Sequence, residues 1–344
     1  MSLISVLKTK CNKNLFTTPS HGGKYVLMHK FRQWYRNDIS EVDAYNPQEA
    51  LRIAEAGAAL IYGVRSTHFL TNGSSSGIIA AVLACCKKSD KILIWDNAHK
   101  CHKNAAFLAG ANIIEYTLPF NEEWGIYEGL TAKRTEELII KHAPKAIIVT
   151  SPSYEGIVSE VEKISVVCKK HQVIFIADEA HGALYPFSDK LPQSSVNYAD
   201  FTVQSLHKTA GGINPTALLH NNTEFDAAKA LGLINTTSPS YPMLATIEAN
   251  IKFLNSKKGR FAIDKLCSDI ESIKSYLTNI QFYGDDVTKI LIKKDGYSGF
   301  ELSNLLYDRF GIEDERTNEK STMLLTGIGT DYKKLMILKK LKKI

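Results

Sequence analysis

The sequence predicts an α/β protein with a mainly parallel sheet covered by helices, and two observations lead to this prediction. Several short runs are apolar at successive positions, as expected of strands buried on both faces. Stretches with helical spacing of apolar residues separate these runs, which favours parallel strands joined by crossover helices. The predicted strands are 91–95, 113–118, 146–150, 173–177, 201–204 and 216–219, and the predicted helices are 77–87, 102–109, 135–142 and 161–171.

A length of 344 residues predicts two domains. The alternation of strands and helices stops at a polar stretch, 255–260, which is followed by a long polar helix at 262–277 and strand-like runs at 287–292 and 321–326. The predicted division is an N-terminal segment (1–50) packing on the small domain or a partner subunit, a ligand-binding large domain (51–255) and a small C-terminal domain (256–344).

The net charge of +6 is concentrated at the C-terminus. Residues 331–344 contain six lysines and one aspartate, and their leucines and isoleucines recur at helical spacing. We therefore expect a terminal amphipathic helix with a solvated lysine face, and neither a nucleic acid nor a membrane as partner.

Cysteine usage and hydropathy predict a cytoplasmic protein. The six cysteines show no CxxC pair and no disulfide-framework spacing, which is typical of a reducing compartment. The N-terminal residues lack a long apolar run, and the longest apolar stretch, 77–86, is too short to span a bilayer.

The strongest chemical signal is an acid and a lysine at the ends of two predicted strands. Strand 173–177 is followed by Asp178, and strand 201–204 is followed by Lys208, thirty residues further on (208 − 178 = 30). Alone, such an acid is often a magnesium ligand or helix cap, and a loop lysine is usually solvated. Together they suit pyridoxal 5′-phosphate (PLP), since a lysine amine forms a Schiff base with its aldehyde and a carboxylate pairs with its pyridine nitrogen.

Two further segments fit the same cofactor. Ser74, Ser75 and Ser76 precede an apolar helix, where hydroxyls and backbone N–H groups suit a phosphate, although such serines also serve as simple caps. Ser205, close to Lys208, offers another hydroxyl. His99 follows strand 91–95 and is a candidate to stack on the cofactor ring.

A metal site is not predicted. His99, Cys101 and His102 resemble part of one, but no second cluster has ligand-like spacing. His102 is interpreted as a helix residue that faces either solvent or the core.

With these segments together, the chain resembles the Orn/Lys/Arg decarboxylases, which are PLP enzymes of the aspartate aminotransferase fold. The resemblance extends from about residue 16 to 250, and QSLHKT at 204–209 is its most specific motif. The other matching segments are FLTNGSSS (69–76), NAHK (97–100), SPSYEG (151–156), DEAHG (178–182) and TSPSY (237–241).

The resemblance implies a large domain with a mainly parallel seven-stranded sheet, a small C-terminal α+β domain, and a homodimer with active sites at the interface. It also implies a role for each matching residue. These are Lys208 as the Schiff base, Asp178 on the pyridine nitrogen, His99 on the ring, His181 beside it, Ser75, Ser76, Ser205 and His207 around the phosphate, and Thr237 or Ser238 reaching the partner's cofactor.

The implied reaction is decarboxylation of lysine, arginine or ornithine to an amine of the polyamine type, with His207 or Lys208 returning a proton to Cα. Glu313 and Glu315 are candidates to hold the substrate's distal cation. An aminotransferase or α-oxoamine synthase on the same fold stays open, and Arg309 or Arg316 could then bind the substrate carboxylate.

A third alternative is a PLP-binding regulatory protein without turnover. The family's N-terminal Pro-Gly-His-Lys motif is replaced here by TPSHGG at 18–23, and the C-terminal part is shorter than in typical members.

Overall fold

The computed structural model describes residues 14–20, 34 and 50–344. Most of the predicted N-terminal segment, including His21, Gly22 and Gly23 of the altered motif, lies outside the described residues.

Strands and helices alternate through most of the described chain. The strands are β1 (Asn14–Leu15), β2 (Ser66–Leu70), β3 (Lys91–Trp95), β4 (Asn112–Tyr116), β5 (Phe120–Asn121), β6 (Ile126–Tyr127), β7 (Ala146–Thr150), β8 (Ile174–Asp178), β9 (Phe201–Ser205), β10 (Ala217–Asn221), β11 (Gln281–Tyr283), β12 (Lys289–Lys293), β13 (Ile312–Glu313), β14 (Arg316–Thr317) and β15 (Thr322–Leu325).

The α-helices are α1 (Ala50–Tyr62), α2 (Ser74–Cys85), α3 (Cys101–Ala109), α4 (Ala132–His142), α5 (Val161–Lys170), α6 (Leu206–Thr209), α7 (Ala227–Gly232), α8 (Tyr241–Asn255), α9 (Lys257–Tyr276), α10 (Gly299–Phe310) and α11 (Tyr332–Met336). In the described ranges, no helix has both the length and the apolar character needed to cross a bilayer.

The main sheet has seven strands in the order β2-β10-β9-β8-β7-β3-β4. Neighbouring strands from β9 to β4 are parallel, and β10 is antiparallel to both of its neighbours. The predicted α/β fold with a mainly parallel sheet is confirmed. The sequence interpretation missed the five-residue strand β2, because its first three residues, Ser66, Thr67 and His68, are not apolar.

Helices cover both faces of this sheet because alternate residues of its buried strands point in opposite directions. Ile92 and Ile94 of β3 pack in one apolar cluster with α2, α3 and α7. Leu93 and Trp95 pack in another cluster with α4 and α5 on the opposite face. The apolar run in β3 is therefore buried on both faces of the sheet, as the sequence analysis required.

A second sheet lies in the C-terminal part, with the order β11-β12-β15-β14 and antiparallel pairing throughout. It shares an apolar cluster with α9, α10 and α11. β1 pairs in parallel with β13, so Asn14 and Leu15 lie against this part of the chain. The helices α8 and α9 meet at Ser256, whose side chain caps α9, and the domain boundary near this residue stays a prediction.

The predicted terminal amphipathic helix is only partly right. The chain forms the short α-helix α11 and then a 3-10 helix, Ile337–Lys343. Leu335, Leu338 and Leu341 are buried, and a spacing of three residues suits the tighter 3-10 turn.

Helix α2 lies unusually close to the sheet at Gly77. A Cβ atom at this position would lie 2.9 Å from both Leu70 Cδ1 and Val203 Cγ1. Real Cβ atoms do not approach other atoms this closely, so a larger residue forces the Leu70 and Val203 side chains, or α2 itself, to shift. Any shift of α2 would also move its N-terminus, which begins three residues earlier at Ser74.

We expect Gly77→Ala to lower the free energy of unfolding by about 1–3 kcal/mol because of this overpacking. Gly57→Ala in α1 is the matched control, since nothing lies within 4 Å of its Cβ position; it should raise stability by up to about 1 kcal/mol through helix propensity. Urea denaturation of both variants checks the expectation, and equal stabilisation by the two substitutions would contradict it.

Candidate active site

The carboxyl ends of β3, β7, β8 and β9 meet at one edge of the main sheet because these strands run in parallel. A cavity of about 510 Å³ opens there. Seven of the predicted cofactor residues line it, namely Ser74, Ser75, His99, Asp178, His181, His207 and Lys208.

Lys208 projects into the cavity from α6, directly after β9. Its Nζ lies 3.0 Å from His181 Nε2. Burial lowers the pKa of the Lys208 ammonium below its ordinary value, and the charge of Asp178 opposes this shift. Burial and the nearby Lys208 charge also hold the pKa of His181 well below its usual range. His181 is therefore neutral and accepts a hydrogen bond from the lysine.

Asp178, the last residue of β8, is fixed by two hydrogen bonds. Its Oδ1 accepts the backbone N–H of Ala180 at 3.1 Å, and its Oδ2 accepts a hydrogen bond from His102 Nε2 at 2.7 Å. Burial on its own raises the pKa of the Asp178 carboxyl, but the His102 bond and the Lys208 charge lower it below the ordinary value. Asp178 is therefore held as a carboxylate.

His102 lies in the core, as one of its two interpretations allowed, but its bond to Asp178 was missed. Cys101, His102 and Asp178 have ligand-type atoms within 4.8 Å of one another. The imidazole Nε2 donates its proton to the carboxylate at 2.7 Å, so its lone pair is not available to a cation. His102 therefore acts as a hydrogen-bond donor to the Asp178 carboxylate.

The N-terminus of α2 points its first turn at the cavity. Gly73 precedes it with φ +87°, a left-handed conformation that glycine adopts without strain. No side chain caps this helix, and its first turn has no acidic residue. The N–H groups and hydroxyls of Ser74 and Ser75 are thus placed to bind an anion such as a phosphate.

Four other predicted cofactor residues do not line the cavity. Ser76 is buried, and its hydroxyl donates to Asn72 Oδ1 and to the Gly73 carbonyl. Ser205 is buried, with no hydrogen-bond partner for its hydroxyl among the described residues. Thr237 and Ser238 are exposed on the loop before α8. Their predicted role requires a partner subunit and stays a prediction.

His99 and His207 are each oriented by one backbone group. His99 Nδ1 accepts the N–H of Cys101 at 3.3 Å, while His207 Nδ1 donates to the Thr216 carbonyl at 3.2 Å. Burial lowers the pKa of both imidazoles. Both of these bonds involve Nδ1, so the Nε2 atom of each ring is left for another contact.

The rim of the cavity carries charged residues from the C-terminal part. Arg316 Nε lies 3.1 Å from Glu155 Oε1, and its guanidinium stacks 5.1 Å above the ring of Tyr154. Glu315 accepts hydrogen bonds from the backbone N–H of Thr18 at 2.6 Å and from Tyr154 OH at 3.3 Å. Arg309 is exposed on α10 and does not line the cavity.

A buried ion pair supports His181 from behind. Lys289 Nζ donates to Asp286 Oδ2 at 2.6 Å and to the His181 carbonyl at 2.7 Å. Tyr185 OH donates to the same Asp286 oxygen at 2.7 Å. Both charged side chains have no solvent exposure. The second sheet, through β12, is thereby tied to the residue that contacts Lys208.

Sequence reasoning missed several residues of the site. Trp95, Thr150 and Glu155 line the cavity without having been assigned a place in it, whereas Arg316 lines it as one of the two arginines considered for the substrate carboxylate. Trp95 and Thr150 end the predicted strands 91–95 and 146–150, and their position at a carboxyl strand end was the available signal. No sequence signal pointed to Lys289 as part of the site, because His181, the residue that it supports, lies 108 positions away along the chain.

The cavity has the polar groups that PLP requires. Lys208 and Asp178 face it from neighbouring strand ends, and Ser74 and Ser75 offer an anion site at the N-terminus of α2. In addition, Trp95 Nε1 and Thr150 Oγ1 are buried without a hydrogen-bond partner among the described residues. These unsatisfied groups suit a polar ligand.

A model of the Orn/Lys/Arg decarboxylase major domain matches residues 8–292. The chain belongs to the Orn/Lys/Arg decarboxylase family. This confirms the predicted resemblance and places the chain in the amino-acid decarboxylase class of enzymes.

Relatives agree with this assignment. The arginine decarboxylase of Bacillus anthracis is 25% identical, over 93% of this chain and 71% of its own length. The arginine decarboxylase of Bacillus subtilis strain 168 is 28% identical, over 87% of this chain and 67% of its own.

The fold is shared with lysine decarboxylase A from Pseudomonas aeruginosa, with a TM-score of 0.75 and 18% identity over 85% of this chain. The match covers 50% of that structure, so this chain spans about half the length of that lysine decarboxylase. The predicted PLP-dependent transferase-like fold is confirmed.

We expect Lys289→Met to lower the free energy of unfolding by about 3–5 kcal/mol, because it leaves the Asp286 charge buried without its partner. The matched control is Lys252→Met, which removes an exposed ion pair with Glu248 on α8 and should cost less than about 1 kcal/mol. Denaturant unfolding of both variants measures the difference, and similar losses would contradict the importance of the buried pair.

Proposed function

We propose that this protein is a PLP-dependent decarboxylase of a basic amino acid. The observation that carries the proposal is the juxtaposition of Lys208 and Asp178 in one cavity at the ends of parallel strands. Family membership adds the reaction class, since the matched major domain is that of Orn/Lys/Arg decarboxylases.

Each group of the cofactor has a fitting residue in the cavity. Lys208 would hold the aldehyde carbon, and the Asp178 carboxylate would pair with the pyridine nitrogen. His99 would stack on the ring, with His181 beside it. Ser74 and Ser75 at the N-terminus of α2 would bind the phosphate. When bound, PLP supplies an electron sink that lets a bond to Cα of an amino acid break.

The protein's own part in decarboxylation is orientation, charge and proton supply. The Cα–carboxylate bond breaks, carbon dioxide leaves, and Cα takes up one proton in its place. Lys208 and His207 both line the cavity and are the proposed proton donors. Burial lowers the pKa of the Lys208 amine, which eases transfer of its proton to Cα.

A substrate with a distal cation is supported by a carboxylate close to the cavity. Glu315 accepts a hydrogen bond from Tyr154, which lines the cavity, whereas the carboxylate of Glu155 is already paired with Arg316. Relatives named arginine decarboxylase and ornithine decarboxylase act, by their names, on amino acids with such a cation. We propose lysine, arginine or ornithine as the substrate.

An aminotransferase is the second candidate, because Arg316 lines the cavity and could bind a substrate carboxylate. Its guanidinium is already engaged by Glu155 and stacked on Tyr154. That engagement favours decarboxylation, in which the carboxylate must leave as neutral carbon dioxide and gains nothing from a strong cationic partner.

We further propose a homodimer in which Thr237 and Ser238 reach the partner's cofactor. Both residues are exposed and lie outside the cavity of their own chain. Thr237 and Ser238 would therefore come close to a cofactor only across the interface of a dimer.

Incubation with PLP and single amino acids tests the reaction. We expect carbon dioxide and the matching amine from lysine, arginine or ornithine, and loss of both products in Lys208→Ala. Pyridoxamine phosphate without gas would replace the decarboxylase by an aminotransferase. PLP binding without turnover of any amino acid would instead indicate a regulatory protein.

Arg316→Gln separates the two enzyme classes. If Arg316 binds the substrate carboxylate, its loss should lower kcat/KM about tenfold or more, the worth of a hydrogen bond to a charged group. We expect a smaller change, because Glu155 holds the guanidinium. Arg309→Gln, an exposed arginine on α10, is the control and should leave kcat/KM unchanged.

A further inference from the structure

We propose that His102 is a positioning residue that sets the orientation and charge of Asp178 towards the cofactor. The inference rests on the proposed function, since it concerns the pairing of Asp178 with the PLP pyridine nitrogen. It adds a residue to which the sequence assigned no role in that pairing.

His102 and Asp178 lie at different positions relative to the cavity. Asp178 lines the cavity, whereas His102 lies behind it and has no solvent exposure. The imidazole contacts the carboxylate through Nε2 and Oδ2 at 2.7 Å. His102 therefore cannot touch a ligand in the cavity and acts only through Asp178.

The helix α3 supplies this contact from its first turn. His102 is the second residue of α3, and its backbone N–H donates to the His99 carbonyl at 3.0 Å. The residue that faces the cofactor ring and the residue that supports Asp178 are thus carried by one rigid turn. A single local structure aligns the proposed ring-stacking group with the proposed pyridine partner.

Hydrogen-bond capacity explains why the contact matters. A carboxylate only accepts hydrogen bonds, so the imidazole must carry its proton on Nε2. Its Nδ1 is then buried without a partner among the described residues, an energetic cost that only a favourable bond at Nε2 offsets. The bond stabilises the ionised form of Asp178, which is the form that keeps a pyridine nitrogen protonated.

The bond also fixes direction. Ala180 N–H binds Oδ1 and His102 binds Oδ2, so neither oxygen can rotate out of place. The lone pairs that remain on the carboxylate are left for a ligand in the cavity. A carboxylate held at both oxygens is preorganised for one partner.

Four variants of the 344-residue chain test the proposal. His102→Leu removes the donor. His102→Asn carries an amide that reaches only the position of the imidazole Nδ1. His102→Gln places an amide N–H close to the position of Nε2 and should restore the bond. His220→Leu, a buried histidine of β10 bonded to Thr67 and Gln204, controls for the loss of a buried imidazole.

Two measurements report on Asp178 without relying on turnover. The first is the Kd of PLP by equilibrium dialysis. The second is the ¹⁵N NMR shift of PLP labelled at the ring nitrogen, which reads the protonation of that nitrogen directly. Thermal unfolding of each variant without PLP records stability separately.

We expect His102→Leu and His102→Asn to raise the Kd about tenfold or more, as for loss of a buried hydrogen bond to a charged group, and to move the ¹⁵N signal towards the unprotonated position. His102→Gln should stay close to the wild type in both, and His220→Leu should lose stability alone. If His102→Leu does not fold, the comparison of His102→Asn with His102→Gln decides.

The failures are distinguishable. A wild-type protein that does not bind PLP overturns the proposed function, and this inference with it. A wild-type protein that binds PLP with a protonated ring nitrogen, together with His102→Asn that matches it in Kd and ¹⁵N shift, overturns the role of His102 and leaves the proposed function intact.

Discussion

The parallel pairing of β8 with β9 is the constraint on which the site depends. The register sets Asp178 opposite Val203. Strand β9 ends two residues later at Ser205, and α6 then carries Lys208 at the same edge of the sheet. Antiparallel strands would send the two residues to opposite edges of the sheet. Strands β7 and β3 continue the parallel set and bring Thr150 and Trp95 to the same cavity. The direction of these strands creates the pocket before any side chain contributes.

Burial then decides the charges within this pocket. It lowers the pKa of the Lys208 amine and of His181, whereas at Asp178 the His102 bond and the Lys208 charge override it. The result is a neutral imidazole beside the lysine and a carboxylate nearby, although both are buried. Support comes from outside the cavity, with α3 holding the acid through His102 and β12 holding His181 through Lys289. The positions of Asp178 and His181 therefore depend on these buried partners.

The strands of the main sheet were largely readable from the sequence because residues buried on both faces give continuous apolar runs. Strand β2 was missed, since three of its five residues are polar or titratable. The terminal helix was predicted as one amphipathic helix, but its apolar spacing also fits the 3-10 turn that follows Met336. Ser76 belongs to the predicted serine segment, yet its hydroxyl is used by Asn72 and Gly73 within that turn. The sequence cannot distinguish adjacent serines, because the orientation of the helix in the folded protein decides which of them face the cavity.

The sequence by itself determined the fold class, the family and the residues that end the key strands, because these depend on local patterns and on motifs such as QSLHKT. The tertiary structure alone decided which distant groups support them. His102 and Asp178 are 76 positions apart, and Lys289 and His181 are 108 apart. Arg316 of β14 meets Glu155 of the loop after β7, 161 positions earlier in the chain (316 − 155 = 161). Such contacts follow from how helices and the second sheet pack on the first, and local sequence patterns carry no record of that packing.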